Sequence, residues 1–240
     1  MLTFAPVWQS KRVVVVFPAY NEAANIALAV SEFRAIEAVD EVLVVDNNSR
    51  DETASLASRA GARVVQEARQ GYGAALQRGL READGDIVIL AEPDGTFVPK
   101  DVLKLLAYSD EFDMVMGTRT TRDLIWAQAN MGWFLRVGNV AVAKLLQVLF
   151  GGPSLSDCGC TLRLLHRSTV EAILPDLTVT SSHFLPQMVI AALRRRLRVI
   201  EVPVNYRGRV GESKITGSVK TAVTVGLRMI GLIVRSRVRA

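Results

Sequence analysis

Glu92 and Asp94 stand one residue apart in the segment Ala91-Glu92-Pro93-Asp94-Gly95. In an extended or turn backbone that spacing lets both carboxylates reach one cation. Oxygen ligands of this kind suit Mg2+ or Mn2+, above all when a diphosphate completes the shell. An Asp-Gly pair is also a common turn signal, but its surroundings here favour the cation. The segment follows an apolar run, and so do Asn21-Glu22 and Asp46-Asn47-Asn48. Three acidic clusters on one rim repel one another unless something cationic neutralises them. Near the other end of the chain, Arg207, Arg209 and Lys214 crowd the loop G-R-V-G-E-S-K. Basic side chains and free amides there can hold phosphate oxygens.

Other constellations carry less. Gly71-Tyr72-Gly73 fits neither GxGxxG nor GxxxxGK[ST], and no GxGxxG follows the first apolar run. A dinucleotide oxidoreductase and a P-loop ATPase are therefore disfavoured. Cys158 and Cys160 form a CxC pair, the wrong spacing for a zinc knuckle, and two cysteines build no disulfide framework. They read as small buried thiols. His166 reads as an ordinary helix or surface residue, whereas His183 sits in a polar Thr-Ser-Ser-His loop before an apolar helix.

The elements that must position these residues alternate. Residues 13–17, 41–45, 63–66, 86–90 and 114–116 read as strands, the first a dense β-branched run ended by Pro18. Helices are expected over 23–36, with Ile26, Val30 and Phe33 on one face, and over 51–60, 73–83 and 99–108. This order predicts an α/β fold, a mostly parallel sheet covered on both faces, which binds ligands at the C-terminal ends of its strands. After Arg122 the pattern changes. Residues 124–150 form a long apolar helix-prone segment that Gly132 and Gly138 could interrupt. Residues 156–164 return to the rim, 184–193 read as a helix, 199–206 as an edge strand, and the chain closes on an apolar, basic helix.

The 240 residues suffice for one well-filled core or two small ones. Half of them are apolar and 22% charged, which excludes a disordered chain, a collagen-like fibre and a coiled coil. The net charge of +5 hides an asymmetry: residues 1–193 hold 17 Lys/Arg against 22 Asp/Glu, and residues 194–240 hold 12 against 2. Nucleic acid is a rival partner for that basic end, but stacking aromatics are nearly absent there, with Tyr206 alone, and no binding motif occurs. An anionic lipid surface suits an apolar, basic helix better. No secretory signal is read at the N-terminus, and residues 221–234 contain Arg228 and are too short to cross a bilayer. A cytoplasmic protein, peripheral at the membrane's cytoplasmic face, is the expectation.

Together these segments resemble the family 2 glycosyltransferases of GT-A fold, a nucleotide-diphospho-sugar transferase architecture, and especially the dolichyl- and polyprenyl-phosphate mannose or glucose synthases. The resemblance is carried by FPAYNE (17–22), VVDNNSRDET (44–53), RQGYGAALQRGL (69–80), AEPDGTF (91–97), SDCGCTLRLLHR (156–167) and EVPVNYRGRVGESK (201–214), in the family's order. It implies one domain over 1–240, with 1–121 mainly binding the nucleotide sugar and 122–240 mainly serving the acceptor. Pro18, Tyr20 and Glu22 would line the nucleotide pocket, with Asp46 on the base or ribose and Gly71 beside them. Glu92-Pro93-Asp94 takes the place of the family's D-x-D, so Glu92 and Asp94 become metal candidates for Mg2+ or Mn2+, Asp94 the stronger. Asp157 and Arg163 match the segment near the acceptor, although Thr161 and Leu162 stand where Gly and Phe are common. Arg209, Ser213 and Lys214 match a loop suited to closing over phosphate. The implied reaction is inverting transfer of a hexose from GDP-mannose or UDP-glucose to a polyprenyl or dolichyl phosphate. Asp157 would orient that acceptor or organise the site, or act as general base if the acceptor were a hydroxyl of a saccharide or small metabolite. The family often carries C-terminal membrane helices, and none is read here, so membrane contact would be peripheral or through a partner. A homodimer stays open, as does a non-catalytic nucleotide-sugar-binding protein.

Overall fold

A computed structural model describes residues 8–127, 129, 132–209 and 219–238. Seven strands form one sheet in the order β3-β2-β1-β4-β6-β5-β7. The first four are β1 (Val13–Ala19), β2 (Glu41–Asp46), β3 (Arg63–Gln66) and β4 (Ile87–Leu90), all parallel to their neighbours among themselves. Then come β5 (Met114–Thr118), β6 (Arg163–His166) and the edge strand β7 (Val199–Pro203). β6 runs antiparallel to both β4 and β5, while β5 and β7 pair in parallel. The sheet is thus mostly parallel, and strands from both halves of the chain enter it.

Alternation of side chains gives each face its own core, because successive strand residues point to opposite sides. Val13, Val15 and Phe17 join Val42, Val44, Ile87 and Ile89 on one face. There they pack under α1 (Ile26–Arg34), α2 (Thr53–Arg59) and α4 (Asp101–Leu106). Val14, Val16, Leu43, Val45, Val88 and Leu90 fill the other face. It is covered by α3 (Tyr72–Glu82), α5 (Trp133–Phe150), α6 (Arg167–Ile173), α7 (Phe184–Arg194) and α8 (Val219–Val238). Burial on both faces explains why the strands read as near-continuous β-branched runs.

The expected helices and strands of the first half are all present, with shorter helices. Pro18 does not end β1, which pairs with β2 as far as Ala19↔Asp46. The amide of Ala91 donates to the oxygen of Val16, and the amide of Asn47 to that of Ala19. Pro18 therefore faces the β4 side, where pairing has already stopped at Leu90, and its missing N–H costs no ladder bond. Gly132 interrupts the apolar segment at the start of α5, whereas Gly138 is accommodated inside that helix. The sequence reading had no β6 and no α6. Arg163-Leu164-Leu165-His166 lacks the β-branched residues that mark the other strands, and it becomes one because β4 and β5 lie on either side of it.

α5 and α8 pack against each other. Trp133, Val137 and Val148 of α5 and Val223, Leu227, Ile230, Val234 and Val238 of α8 remain exposed, Trp133 at 71% and Leu227 at 63%. Neither helix contains an acidic residue. Among the described residues, no helix is long and apolar enough to cross a membrane.

Candidate active site

The loops after β1, β2 and β4 bring the acidic clusters to one end of the sheet, where two cavities meet. The smaller, of about 260 Å3, is walled by Pro18, Tyr20, Glu22 and Asn47. The larger, of about 380 Å3, is walled by Arg119, Gly159 and Thr161 below and by α5 and α8 above. Tyr72, Glu92, Asp94 and Arg209 line both. These four side chains are the wall through which a group passing between the cavities must move.

Gly95 has φ of +78°, a left-handed turn position that lets the chain fold back just after Asp94. The Thr96 amide (3.0 Å) and hydroxyl (2.6 Å) both donate to Asp94 Oδ1. That anchorage leaves Oδ2 to the Arg209 guanidinium, 3.2 Å away. The same guanidinium donates to Glu22 Oε1 at 2.9 Å. Arg209 reaches this place because its segment runs along the Asp94 turn: the Arg207 amide donates to the oxygen of Thr96. Asp94 and Glu22 therefore face a position that already holds positive charge, and their hard oxygens fit a divalent cation there.

Glu92 behaves differently from Asp94. Its Oε1 accepts from the hydroxyls of Tyr72 (2.9 Å) and Thr161 (2.7 Å). Burial, with the charge of Asp94 beside it, pushes its pKa up to about 7, and the two hydroxyls only partly oppose this. The stronger metal candidate, Asp94, thus faces a cation, whereas the weaker, Glu92, is held in a hydroxyl cluster.

Asp157 and Arg163, matched by resemblance to a segment near the acceptor, are both held by protein groups. Both oxygens of Asp157, which is fully buried, are engaged. Oδ2 accepts from Arg119 Nε at 2.8 Å and from the Arg119 amide at 3.2 Å. Oδ1 accepts from Arg119 Nη2 at 3.0 Å and from the Gly159 amide at 3.2 Å. Asp157 does not line the cavity, and its geometry is that of a residue orienting Arg119, which does. Burial works against the charged guanidinium of Arg119, and the Asp157 carboxylate more than restores it, holding its pKa above the ordinary range. Arg163 is fully buried too, and its donors go to the carbonyls of Cys158, Cys160 and Leu185. It staples the 158–160 loop to α7, and burial lowers its pKa. As placed, it has no access to an acceptor.

Pro18, Tyr20 and Glu22, assigned to a nucleotide pocket by resemblance, together line the smaller cavity. Asp46 is buried, accepts from the Ser49 amide, and is absent from the cavity wall. Its neighbour Asn47 is there instead. The Asn47 amide group donates to the carbonyls of Glu67 and Arg69, and its oxygen accepts from the Gly71 amide at 2.7 Å. Gly71 lines neither cavity. Its φ is +145°, and a Cβ there would sit 2.3 Å from the Thr180 oxygen. That oxygen also accepts from the Gly73 and Ala74 amides, so the first turn of α3 is capped by protein. Gly71→Ala is expected to destabilise the fold by about 1–3 kcal/mol in chemical denaturation, since both the backbone angle and the contact forbid a side chain.

Ser213 and Lys214 lie outside the described residues. Cys158 and Cys160 are free, buried thiols whose pKa burial pushes up to about 12. His183 precedes α7 with Nδ1 3.0 Å from the Ser181 hydroxyl, and Ser182 lines the larger cavity. His166 Nε2 lies against the Ser109 oxygen. Arg119, Asn47 and the Tyr72 hydroxyl are the site groups that sequence reasoning missed. Arg119 carried a usable signal, because it directly follows a strand and so stands on the rim.

Comparison with known proteins agrees with this geometry. An uncharacterised glycosyltransferase of Mycobacterium tuberculosis is 36% identical over 216 residues, covering 88% of this chain and 93% of that protein. A dolichyl-phosphate hexose transferase of Haloferax volcanii is 31% identical over 204 residues, covering 84% and 85%. Among solved structures, glucosyl-3-phosphoglycerate synthase of M. tuberculosis, crystallised with Mn2+, UDP and phosphoglyceric acid, superposes with a TM-score of 0.71. That superposition covers 95% of this chain and 78% of that one at 20% identity, a likeness of fold. The family model described as glycosyl transferase family 2 matches residues 14–174, from β1 through α6. With the acidic rim and six of the seven strands inside that match, the chain belongs to glycosyl transferase family 2 and is a glycosyltransferase of GT-A fold.

Proposed function

We propose that the protein transfers a hexose from a nucleotide diphosphate sugar in the smaller cavity to a polyprenyl phosphate in the larger one. The observation that carries this reading is the chemistry of the larger cavity. One firmly held guanidinium, Arg119, lies at its floor, while Leu135, Val142, Val223, Leu227, Met229 and Ile230 line its walls. A phosphate on an apolar chain matches both ends, whereas a small polyanion would leave those walls unused. The dolichyl-phosphate hexose transferase relative supports the same acceptor class.

Asp94 would hold Mg2+ or Mn2+ together with the donor's diphosphate, since no cluster of three or more His, Cys, Asp or Glu occurs among the described residues. Bound there, the cation would neutralise charge developing on the departing nucleotide. Arg119 binds and orients the acceptor's phosphate, and Asp157 keeps the guanidinium in register. A phosphate monoester is ionised at neutral pH and needs no strong base, which agrees with Asp157 being fully engaged. The exposed apolar residues of α5 and α8 lie among Arg136, Lys144, Arg228, Arg235 and Arg237, a surface suited to anionic lipid and to receiving an acceptor from it. A hydroxyl acceptor is the second reading, favoured by one observation. Glu92, with its raised pKa, borders both cavities and could take a proton.

The test supplies labelled UDP-glucose or GDP-mannose and Mn2+ with either farnesyl phosphate or phosphoglycerate. Label in an organic-extractable product from farnesyl phosphate is expected. Label confined to a water-soluble product would overturn the lipid reading.

A further inference from the structure

Glu201 lies on the edge strand β7 and borders neither cavity. Its carboxylate nevertheless collects three donors from one loop. Oε2 accepts from the Ser156 amide and hydroxyl, both at 2.7 Å, and Oε1 from the Asp157 amide at 2.8 Å. Residues 151–162 contain no helix or strand, so these bonds fix a segment that lacks ladder bonds of its own. Two links run onward to Arg119. One is Asp157, whose oxygens take the Arg119 guanidinium. The other is the Ser156 hydroxyl, 2.8 Å from that of Thr118 and 2.9 Å from that of Thr120, the residues on either side of Arg119.

A hydroxyl has one proton. With the Ser156 proton given to Glu201, Ser156 can only accept from Thr118 or Thr120, whose hydroxyls also lie 2.9 Å from each other, so the Glu201 charge sets the direction of the bonds that reach Ser156. Burial raises the Glu201 pKa, and its three donors oppose that rise. A glutamine in this place keeps the shape but turns an NH2 group toward donors.

We propose that Glu201 is a positioning residue that sets Arg119, through Ser156 and Asp157, where the acceptor's phosphate is bound. The inference rests on the proposed function in one respect, that the larger cavity takes a phosphate monoester. It makes the edge strand part of acceptor recognition without touching the acceptor.

The test measures farnesyl phosphate affinity and, separately, UDP and GDP affinity in the presence of Mn2+, by titration calorimetry. Glu201→Gln is expected to weaken farnesyl phosphate binding about tenfold and to leave nucleotide binding within about twofold. Combined with Arg119→Lys, it should add less than about threefold to that variant's loss, because both act on one guanidinium. Unchanged farnesyl phosphate affinity, an equal loss of nucleotide affinity, or full additivity with Arg119→Lys would overturn the proposal. If Glu201→Gln does not fold, Ser156→Ala decides: about a threefold loss of farnesyl phosphate affinity supports the relay, and no loss overturns it. Wild-type protein that binds no farnesyl phosphate overturns this inference together with the proposed function. Wild-type binding that Glu201→Gln leaves unchanged overturns this inference alone.

Discussion

Asp94→Asn is expected to lower transfer about a thousandfold while the protein still folds. The carboxylate lies in the wall shared by both cavities, and its Oδ2 faces the position now balanced by Arg209. An asparagine keeps an oxygen to accept from the Thr96 amide and hydroxyl, so the turn survives. Arg209 keeps Glu22 as its partner, so no buried charge is left unpaired. What disappears is the negative charge that would hold Mg2+ or Mn2+ against the diphosphate. Initial rates at saturating donor, with a thermal melt as control, measure the effect. Turnover within about tenfold of wild type would remove Asp94 from the metal site.

The second large effect falls on Arg119. Arg119→Lys keeps a positive charge but not the planar fork that takes both oxygens of Asp157. Loss of about a hundredfold in kcat/KM for the acceptor is expected, with donor KM little changed, because Arg119 lines the larger cavity and not the smaller one in which the nucleotide is proposed to bind. Arg119→Ala should be worse in a different way. It leaves Asp157 buried without its cation, at a cost of about 3–5 kcal/mol in stability. A lysine variant with normal acceptor KM would show that the phosphate is bound elsewhere.

Glu92 and Asp94 show where a sequence stops being legible. One residue apart, both read as carboxylates able to reach one cation, with Asp94 the stronger candidate. The partners that distinguish them come from far along the chain: Tyr72 and Thr161 for Glu92, Arg209 for Asp94. The same holds for Asp157, whose partner Arg119 is 38 residues away. No periodicity connects them, because the contact is made by the ends of a loop and a strand. Arg163 was misplaced for a related reason. The family resemblance puts it near the acceptor, but β6 exists only through pairing with β4 and β5, and that pairing carries Arg163 into the core. The first half was readable because β1, β2 and β4 are buried on both faces, which demands dense runs of Val, Ile and Leu. The rim was readable because carboxylates after such runs have few other reasons to gather.

The basic end of the chain divides likewise. Arg209 faces carboxylates of the donor side, and Arg228, Arg235 and Arg237 are exposed on α8. Only the second group suits a lipid surface.

The central claim is that the atom receiving the sugar is a phosphate oxygen held by Arg119. 31P NMR of a reaction containing wild-type enzyme, Mn2+, farnesyl phosphate and UDP-glucose or GDP-mannose tests it directly. The phosphomonoester signal is expected to give way to a phosphodiester at the rate at which nucleoside diphosphate appears, and Arg119→Lys should slow both together. A monoester signal that persists while the sugar leaves its nucleotide for a hydroxyl compound would contradict the account.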